Sequence, residues 1–139
     1  MKRLFLVLFL LIHISGFAQQ TPYELSNKKE TTTYAEAIKF YQGLVKSYPK
    51  QAKLFTYGTT DFGKPLHLIV LSKNNIFDPE AIKKADKRVL MINNGIHPGE
   101  PEGIDASMMF ARDLLKTNKL PENVVICIIP VYNIDGSHN

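Results

Sequence analysis

RVLMINNGIHPGEPEGIDASMMFARDLL, residues 88–115, is the stretch that decides the fold of this chain. Its first six residues, 88–93, are mostly apolar and predict a buried β-strand. A loop over 93–102 with two prolines and two glycines ends that strand. From residue 103 to about Lys116, apolar residues recur at the spacing of one helix face, at Ile104, Met108, Ala111 and Leu115. The stretch therefore predicts a strand, a loop and a helix in that order.

A second apolar run, VVICIIPV at 124–131, follows this helix. Its apolar residues do not alternate with polar ones, which predicts a strand buried on both faces. Strand, helix and strand in this order form a βαβ unit, which builds parallel sheets covered by helices. If the sheet continues beyond residue 131, we expect 124–131 to be an apolar edge strand and the isolated chain to be poorly soluble.

The residues before this unit predict a helix and a β-hairpin. Thr33 and Glu36 form a capping box for a helix that runs to about Tyr48 and is stopped by a proline. The segments 54–57 and 66–71 predict two strands joined by a turn-rich connection, at one edge of the sheet. The fold class that follows is α/β, with a mixed, largely parallel sheet and flanking helices.

Two further residues before the unit have local roles that the sequence predicts. Asp78 precedes a proline and is expected to cap a short helix. His67 alternates with apolar neighbours, and neither an acid nor a second histidine lies beside it, so we interpret it as a strand-face residue rather than a ligand.

Composition and charge exclude several classes of protein. Of the 139 residues, 22% are charged and 45% hydrophobic, which is typical of a globular domain and not of disorder, collagen or a coiled coil. The net charge is +4, and it falls to +2 without residues 1–18, whose charged residues are Lys2 and Arg3. The sequence has no lysine or arginine block, so we expect no nucleic-acid partner. The single cysteine, Cys127, cannot form a disulfide within the chain.

The N-terminus has the pattern of a secretory signal peptide over residues 1–18. Two positive residues precede an apolar run at 4–14, and small residues at Gly16 and Ala18 predict cleavage before Gln19. This run of eleven residues, interrupted by His13, is too short for a membrane span of about 20, so we expect a secreted or periplasmic protein without a stable span after cleavage. We expect the following segment, 19–32, to be a polar arm, and residues 33–139 to belong to the folded domain.

The loop after the first strand of the βαβ unit holds the candidate site. His97 and Glu100 lie three residues apart across a Pro-Gly pair, so both side chains can reach one metal ion. Ligands bind at the carboxyl ends of strands in α/β sheets, and zinc accepts imidazole nitrogen together with carboxylate oxygen. The same pattern also has an explanation without a metal. His97 then lies in a solvated loop, and Glu100 and Glu102 are there because carboxylates stabilise the N-terminus of the following helix.

Four segments, taken together and in order, resemble zinc carboxypeptidases of the carboxypeptidase A type. GIHPGE at 95–100 is similar to the family's HxxE loop, and the helix from Thr33 to Pro49 is similar to its opening helix. GTTDFGKPL at 58–66 resembles a G-x-S-x-x-G-R-P stretch, and PVYNIDG at 130–136 resembles P-x-x-N-P-D-G. The resemblance implies a zinc metallopeptidase that acts on the C-terminus of a peptide or protein.

The resemblance also implies roles for residues. His97 and Glu100 match two zinc ligands of the family. Its third ligand is a histidine from a later strand, and a glutamate near the end of the domain deprotonates the zinc-bound water. These residues have no positions here, since the family domain is about twice as long as 19–139 or longer. We therefore assign no catalytic residue. We expect this chain to be the N-terminal portion of the family's domain and to be inactive alone.

The sequence departs mildly from the family pattern, and two alternatives stay open. Ile134 stands where the family usually has proline, and Lys64 where it has arginine. The first alternative is a zinc-dependent deacylase of N-acyl amino acids, similar to aspartoacylase and succinylglutamate desuccinylase, which share the G-x-H-x-x-E pattern. The second is a non-catalytic fragment, because two ligands are fewer than the three protein ligands of a catalytic zinc site.

Overall fold

The computed structural model describes residues 19–138, so the predicted signal peptide, 1–18, lies outside the described residues. Within them no helix is both long and apolar enough to cross a membrane. The elements in chain order are α1 (Pro22–Leu25), α2 (Tyr34–Ser47), β1 (Ala52–Thr59), β2 (Pro65–Leu71), α3 (Pro79–Lys84), β3 (Arg88–Asn93), α4 (Glu102–Lys116), β4 (Val124–Ile129) and a final 3-10 turn (Gly136–His138).

The four strands form one mixed sheet in the order β1-β2-β4-β3. The β1–β2 and β2–β4 pairs are antiparallel, and the β3–β4 pair is parallel. The predicted hairpin at one sheet edge and the predicted βαβ unit are therefore confirmed, as are the mixed sheet and its flanking helices. Among the described strands one pair in three is parallel, so this part of the sheet is less parallel than the sequence predicted.

β4 is buried on both faces, as predicted, whereas β3 differs from expectation in its burial and β4 in its position in the sheet. β4 lies between β2 and β3, and its residues 125–128 are buried. Among the described strands β3 lies at the edge opposite β1, and its Val89, Leu90 and Met91 are 45–53% exposed. The predictions that 88–93 is buried and that 124–131 forms an edge are thus both wrong. The reason is that an apolar strand is buried only where strands and helices cover it, and no described strand pairs with the outer side of β3.

Helices α2 and α4 pack on one face of the sheet and enclose the main core. All four apolar residues predicted for the inner face of α4 are at most 6% exposed. They join the buried residues of α2 and the inward residues of the central strands, namely Ala37, Phe40, Tyr41, Leu44, Ile69, Leu71, Ile126 and Ile128. On the opposite face a smaller cluster surrounds Ile82 of α3 and contains Val70, Val125 and Cys127.

Local capping signals in the sequence determine where the helices begin. The Thr33 hydroxyl accepts from the Glu36 amide, and the Glu36 carboxylate accepts from the Thr33 amide at 2.9 Å, which confirms the predicted capping box. Asp78 accepts from the Ala81 amide at 3.0 Å and caps α3, as predicted.

The polar arm, 19–32, lies against α4 through two charged contacts. Glu24 pairs with Arg112, and the hydrogen bond from Arg112 lowers the pKa of the Glu24 carboxyl. The amide and the hydroxyl of Thr32 both donate to the Asp105 carboxylate. Burial raises the pKa of Asp105, and these two bonds oppose that rise. The arm is therefore ordered against the helix that follows the candidate site.

Candidate metal site

The candidate site lies on the loop between β3 and α4, at the carboxyl end of β3. The β3–β4 ladder continues into this loop, because the Asn94 amide donates to the Ile129 carbonyl at 3.2 Å. Gly95 then adopts a left-handed φ of 60°, which glycine reaches without steric cost. The Glu100 amide donates to the His97 carbonyl at 3.1 Å and closes a tight turn. That turn brings the side chains of its two ends together.

His97 and Glu100 are in direct contact across this turn. His97 Nδ1 lies 3.1 Å from Glu100 Oε2, and the two side chains are 73% and 72% exposed. Two ligands of one tetrahedral zinc ion lie about 3.4 Å apart, given bond lengths of about 2.0–2.2 Å. The donor types and their separation therefore fit a shared zinc ion that replaces the direct contact.

The loop borders an open depression of about 470 Å³ that His97 and Glu100 line together. Glu102, in the first turn of α4, and Gly103 complete its helix side. In residues 19–138 no group of three or more histidine, cysteine, aspartate or glutamate side chains is placed to hold a metal ion. Within residues 19–138, His97 and Glu100 are therefore a pair of side chains of metal-ligating type that face an open depression.

The turn after β4 packs directly on the loop 94–101, which carries His97 and Glu100 and is called the metal-site loop after the candidate site. The Tyr132 amide donates to the Asn94 carbonyl at 2.8 Å, and the Asn133 amide donates to the Gly95 carbonyl at 2.9 Å. Gly136 lies so close to Pro98 that a side chain there would bring its Cβ within 2.7 Å of the Pro98 ring. The segment 130–136 is therefore a support for the loop that carries His97 and Glu100.

The turn-rich connection between β1 and β2 joins the same end of the sheet. Thr60 Oγ1 donates to Asp135 Oδ1 at 2.7 Å, and the Phe62 amide donates to Asp135 Oδ2 at 3.4 Å. Three of the four segments singled out in the sequence thus form one contiguous group of loops. Their order along the chain was visible in the sequence, but these contacts were not predicted.

A buried polar pair behind the loop was also missed in the sequence. Asn94 and Ser107 are each 6% exposed, and Ser107 Oγ donates to Asn94 Oδ1 at 3.1 Å. Asn94 Nδ2 donates to the Ile129 carbonyl at 3.1 Å. A polar residue that directly follows an apolar strand is the available signal, but its partner on the next helix depends on tertiary structure.

Two other potential ligand side chains lie elsewhere. His67 Nδ1 is 3.0 Å from Thr56 Oγ1 on the neighbouring strand, and its ring stacks on Tyr34. This agrees with its interpretation as a strand-face residue. Cys127 is a buried free cysteine in the cluster next to α3, and burial raises the pKa of its thiol. Neither residue lines the depression beside His97 and Glu100.

Comparisons with solved structures agree with the fold. The chain superposes on bovine thrombin-activatable fibrinolysis inhibitor with a TM-score of 0.64 and 20% identity, over 78% of this chain and 33% of that one. For carboxypeptidase A from Helicoverpa armigera the TM-score is 0.66 with 22% identity, over 78% and 26%. For a metallo-carboxypeptidase from Burkholderia cenocepacia it is 0.59 with 27% identity, over 77% and 28%. The chain therefore spans a third or less of the length of these structures.

The family assignment rests on the sequence itself. A comparison with curated proteins finds no match. The family model of zinc carboxypeptidases matches residues 37–138, which is well over half of the chain and includes the metal-site loop and its supporting turn. The chain belongs to the zinc carboxypeptidase family.

Proposed function

We propose that this chain carries part of the zinc site of a metallocarboxypeptidase, with His97 and Glu100 as two zinc ligands. The observation that carries the proposal is the 3.1 Å separation of His97 Nδ1 and Glu100 Oε2 at the carboxyl end of β3. The match of the surrounding residues to the zinc carboxypeptidase family supports zinc as the metal.

The proposed reaction is hydrolysis of the last peptide bond of a peptide or protein. His97 and Glu100 would hold the zinc ion, which when bound would polarise a carbonyl group and lower the pKa of a bound water. The turn at 130–136 holds the loop of His97 and Glu100 in place. The open depression beside them leaves room for a substrate carbonyl.

We further propose that the chain by itself does not hydrolyse peptides. A catalytic zinc site uses three protein ligands, and residues 19–138 bring two together. A third ligand and a general base therefore have to come from outside the described residues. The predicted signal peptide at 1–18 supports action in a secreted or periplasmic protein.

Isothermal titration calorimetry with Zn²⁺ tests the ligand assignment on the full chain. We expect one weak site in the wild type and at least a tenfold loss of affinity in His97→Ala and in Glu100→Ala. His67→Ala is the matched control, because it removes an imidazole that pairs with Thr56 instead. Equal affinity in the wild type and His97→Ala contradicts the assignment.

An activity assay tests the second part of the proposal. We expect the purified chain to release no C-terminal residue from a peptide in the presence of Zn²⁺. Release that disappears in Glu100→Ala overturns the proposed inactivity. Hydrolysis of an N-acyl amino acid without action on peptides favours the deacylase alternative, against which the family match to zinc carboxypeptidases currently stands.

A further inference from the structure

Every polar group of Asn94 is hydrogen-bonded, and the bonds reach three different segments. Its backbone N–H and its side-chain Nδ2 both donate to the Ile129 carbonyl at the end of β4. Its carbonyl accepts from the Tyr132 amide in the supporting turn. Its Oδ1 accepts from Ser107 Oγ, one turn into α4 from Glu102. Asn94 thus connects β4, the turn after it and α4 at one buried point.

The side chain at this position must be an amide of this size. Oδ1 accepts and Nδ2 donates, so the isosteric carboxylate of aspartate would lose the bond to Ile129 and place an oxygen against its carbonyl. A Cβ added at Gly103 would lie 3.0 Å from Asn94 Oδ1, so α4 approaches the amide closely. A buried polar group with this many partners is costly to leave unpaired.

The metal-site loop has little burial of its own beyond this point. The side chains of His97 and Glu100 are more than 70% exposed, and Pro98 and Gly99 between them are exposed as well. The orientation of the two donors therefore depends on how the start of the loop is held. Asn94 lies three residues before His97 and is 6% exposed.

We infer that Asn94 is a positioning residue for the proposed zinc site, acting by anchoring the His97–Glu100 loop to α4 through Ser107 and to β4 through Ile129. This inference rests on the proposed function, since the property that Asn94 sets is the affinity of His97 and Glu100 for zinc. Groups that hydrogen-bond directly to metal ligands change metal affinity by roughly 10- to 100-fold when they are removed. Asn94 acts through the loop backbone instead, so we expect its effect at the low end of that range.

The first arm of the test needs no metal. Amide hydrogen exchange of the full chain is followed by NMR for the wild type, Asn94→Asp and Ser107→Ala. We expect the amides of Glu100, Tyr132 and Asn133 to exchange about tenfold faster in both variants, with the β1–β2 amides unchanged. Leu114→Ala is the control, because it removes a half-buried side chain near the other end of α4. Loop exchange that stays at the wild-type rate in Asn94→Asp overturns the inference.

The second arm is a Zn²⁺ titration of the same four proteins. We expect about a tenfold weaker affinity in Asn94→Asp, a smaller loss in Ser107→Ala and wild-type affinity in Leu114→Ala. Faster loop exchange with unchanged zinc affinity overturns the positioning role. If the wild type does not bind zinc through His97, the proposed function fails, and the exchange data alone then decide whether Asn94 anchors the loop.

Discussion

The strands β3 and β4 make a matched comparison within one molecule. Each has six residues, they are parallel neighbours, and their residues pair one to one in register. Val89 pairs with Val125, yet Val125 is fully buried and Val89 is 53% exposed. Since residue type and strand geometry are the same, the difference comes from what covers each strand. β4 has a strand on both sides, whereas β3 has one on its inner side within residues 19–138.

The two strands contribute differently: β4 contributes to the stability of the fold, and β3 leads into the loop of the candidate site. β4 supplies the buried contacts of both core clusters through residues 125–128. The loop after β3 carries His97 and Glu100, and the segment after β4 holds that loop through the Tyr132 and Asn133 amides. An exposed strand can therefore carry a fixed loop, because the segment after its buried neighbour holds that loop.

The largest expected difference between the strands is for a buried charge. We predict that Val125→Asp abolishes the folded state, because an unpaired buried carboxylate costs several kcal/mol, comparable to the total stability of a domain. Val89→Asp, its register partner, keeps the fold. Circular dichroism and thermal melting of the full chain measure both. A cooperative melt of Val125→Asp near that of the wild type would break the comparison.

A smaller difference is expected for the loss of methyl groups alone. Val125→Ala should lower the free energy of unfolding by about 2 kcal/mol, because a fully buried side chain is truncated. Val89→Ala should change it by less than about 0.5 kcal/mol. Urea denaturation of the two variants sharpens the comparison, and equal losses would show that β3 is covered in solution.

The exposed edge of β3 should affect association more than stability. Val89, Leu90 and Met91 present an apolar strand that lacks an outer partner among the described residues. Such an edge promotes pairing between chains, and a lysine on it opposes that pairing. We predict that Met91→Lys shifts the chain towards the monomer in sedimentation velocity runs at several concentrations, with little change in melting temperature. A wild type that is monomeric at all concentrations would count against this.

The smallest expected effect is on the pH dependence of stability. Burial raises the pKa of the Cys127 thiol, so the unfolded chain ionises first as the pH rises past about 8.5. The contribution of this thiol to stability is therefore full below that pH and declines above it. We predict that the wild type loses more stability than Cys127→Ala between roughly pH 8 and pH 10. If the stability of the wild type and of Cys127→Ala changed equally with pH, the Cys127 thiol would be exposed in the folded chain, as its register partner Met91 is.

Local patterns predicted the elements, and tertiary structure decided the rest. The spacing of Ile104, Met108, Ala111 and Leu115 identified the buried face of α4, because helix periodicity is a property of the local chain. The two-sided burial of β4 was predicted correctly, but the edge position of β4 and the burial of β3 were predicted wrongly. Both errors concern strand order, which involves β2 from far along the chain.

The candidate site divides in the same way. The contact between His97 and Glu100 follows from a spacing of three residues and a Pro-Gly turn. The contacts of Asn94 with Ser107, and of Thr60 with Asp135, join residues 13 and 75 positions apart and could not be read from spacing.

The central claim is that His97 and Glu100 bind one zinc ion together, and X-ray absorption spectroscopy of the zinc-loaded full chain tests it most directly. We predict a first shell with an imidazole nitrogen at about 2.0–2.1 Å and oxygen ligands at about 2.0–2.2 Å. The imidazole scattering should disappear in His97→Ala and persist in His67→Ala. A zinc shell without imidazole in the wild type, or an unchanged spectrum in His97→Ala, would contradict the account.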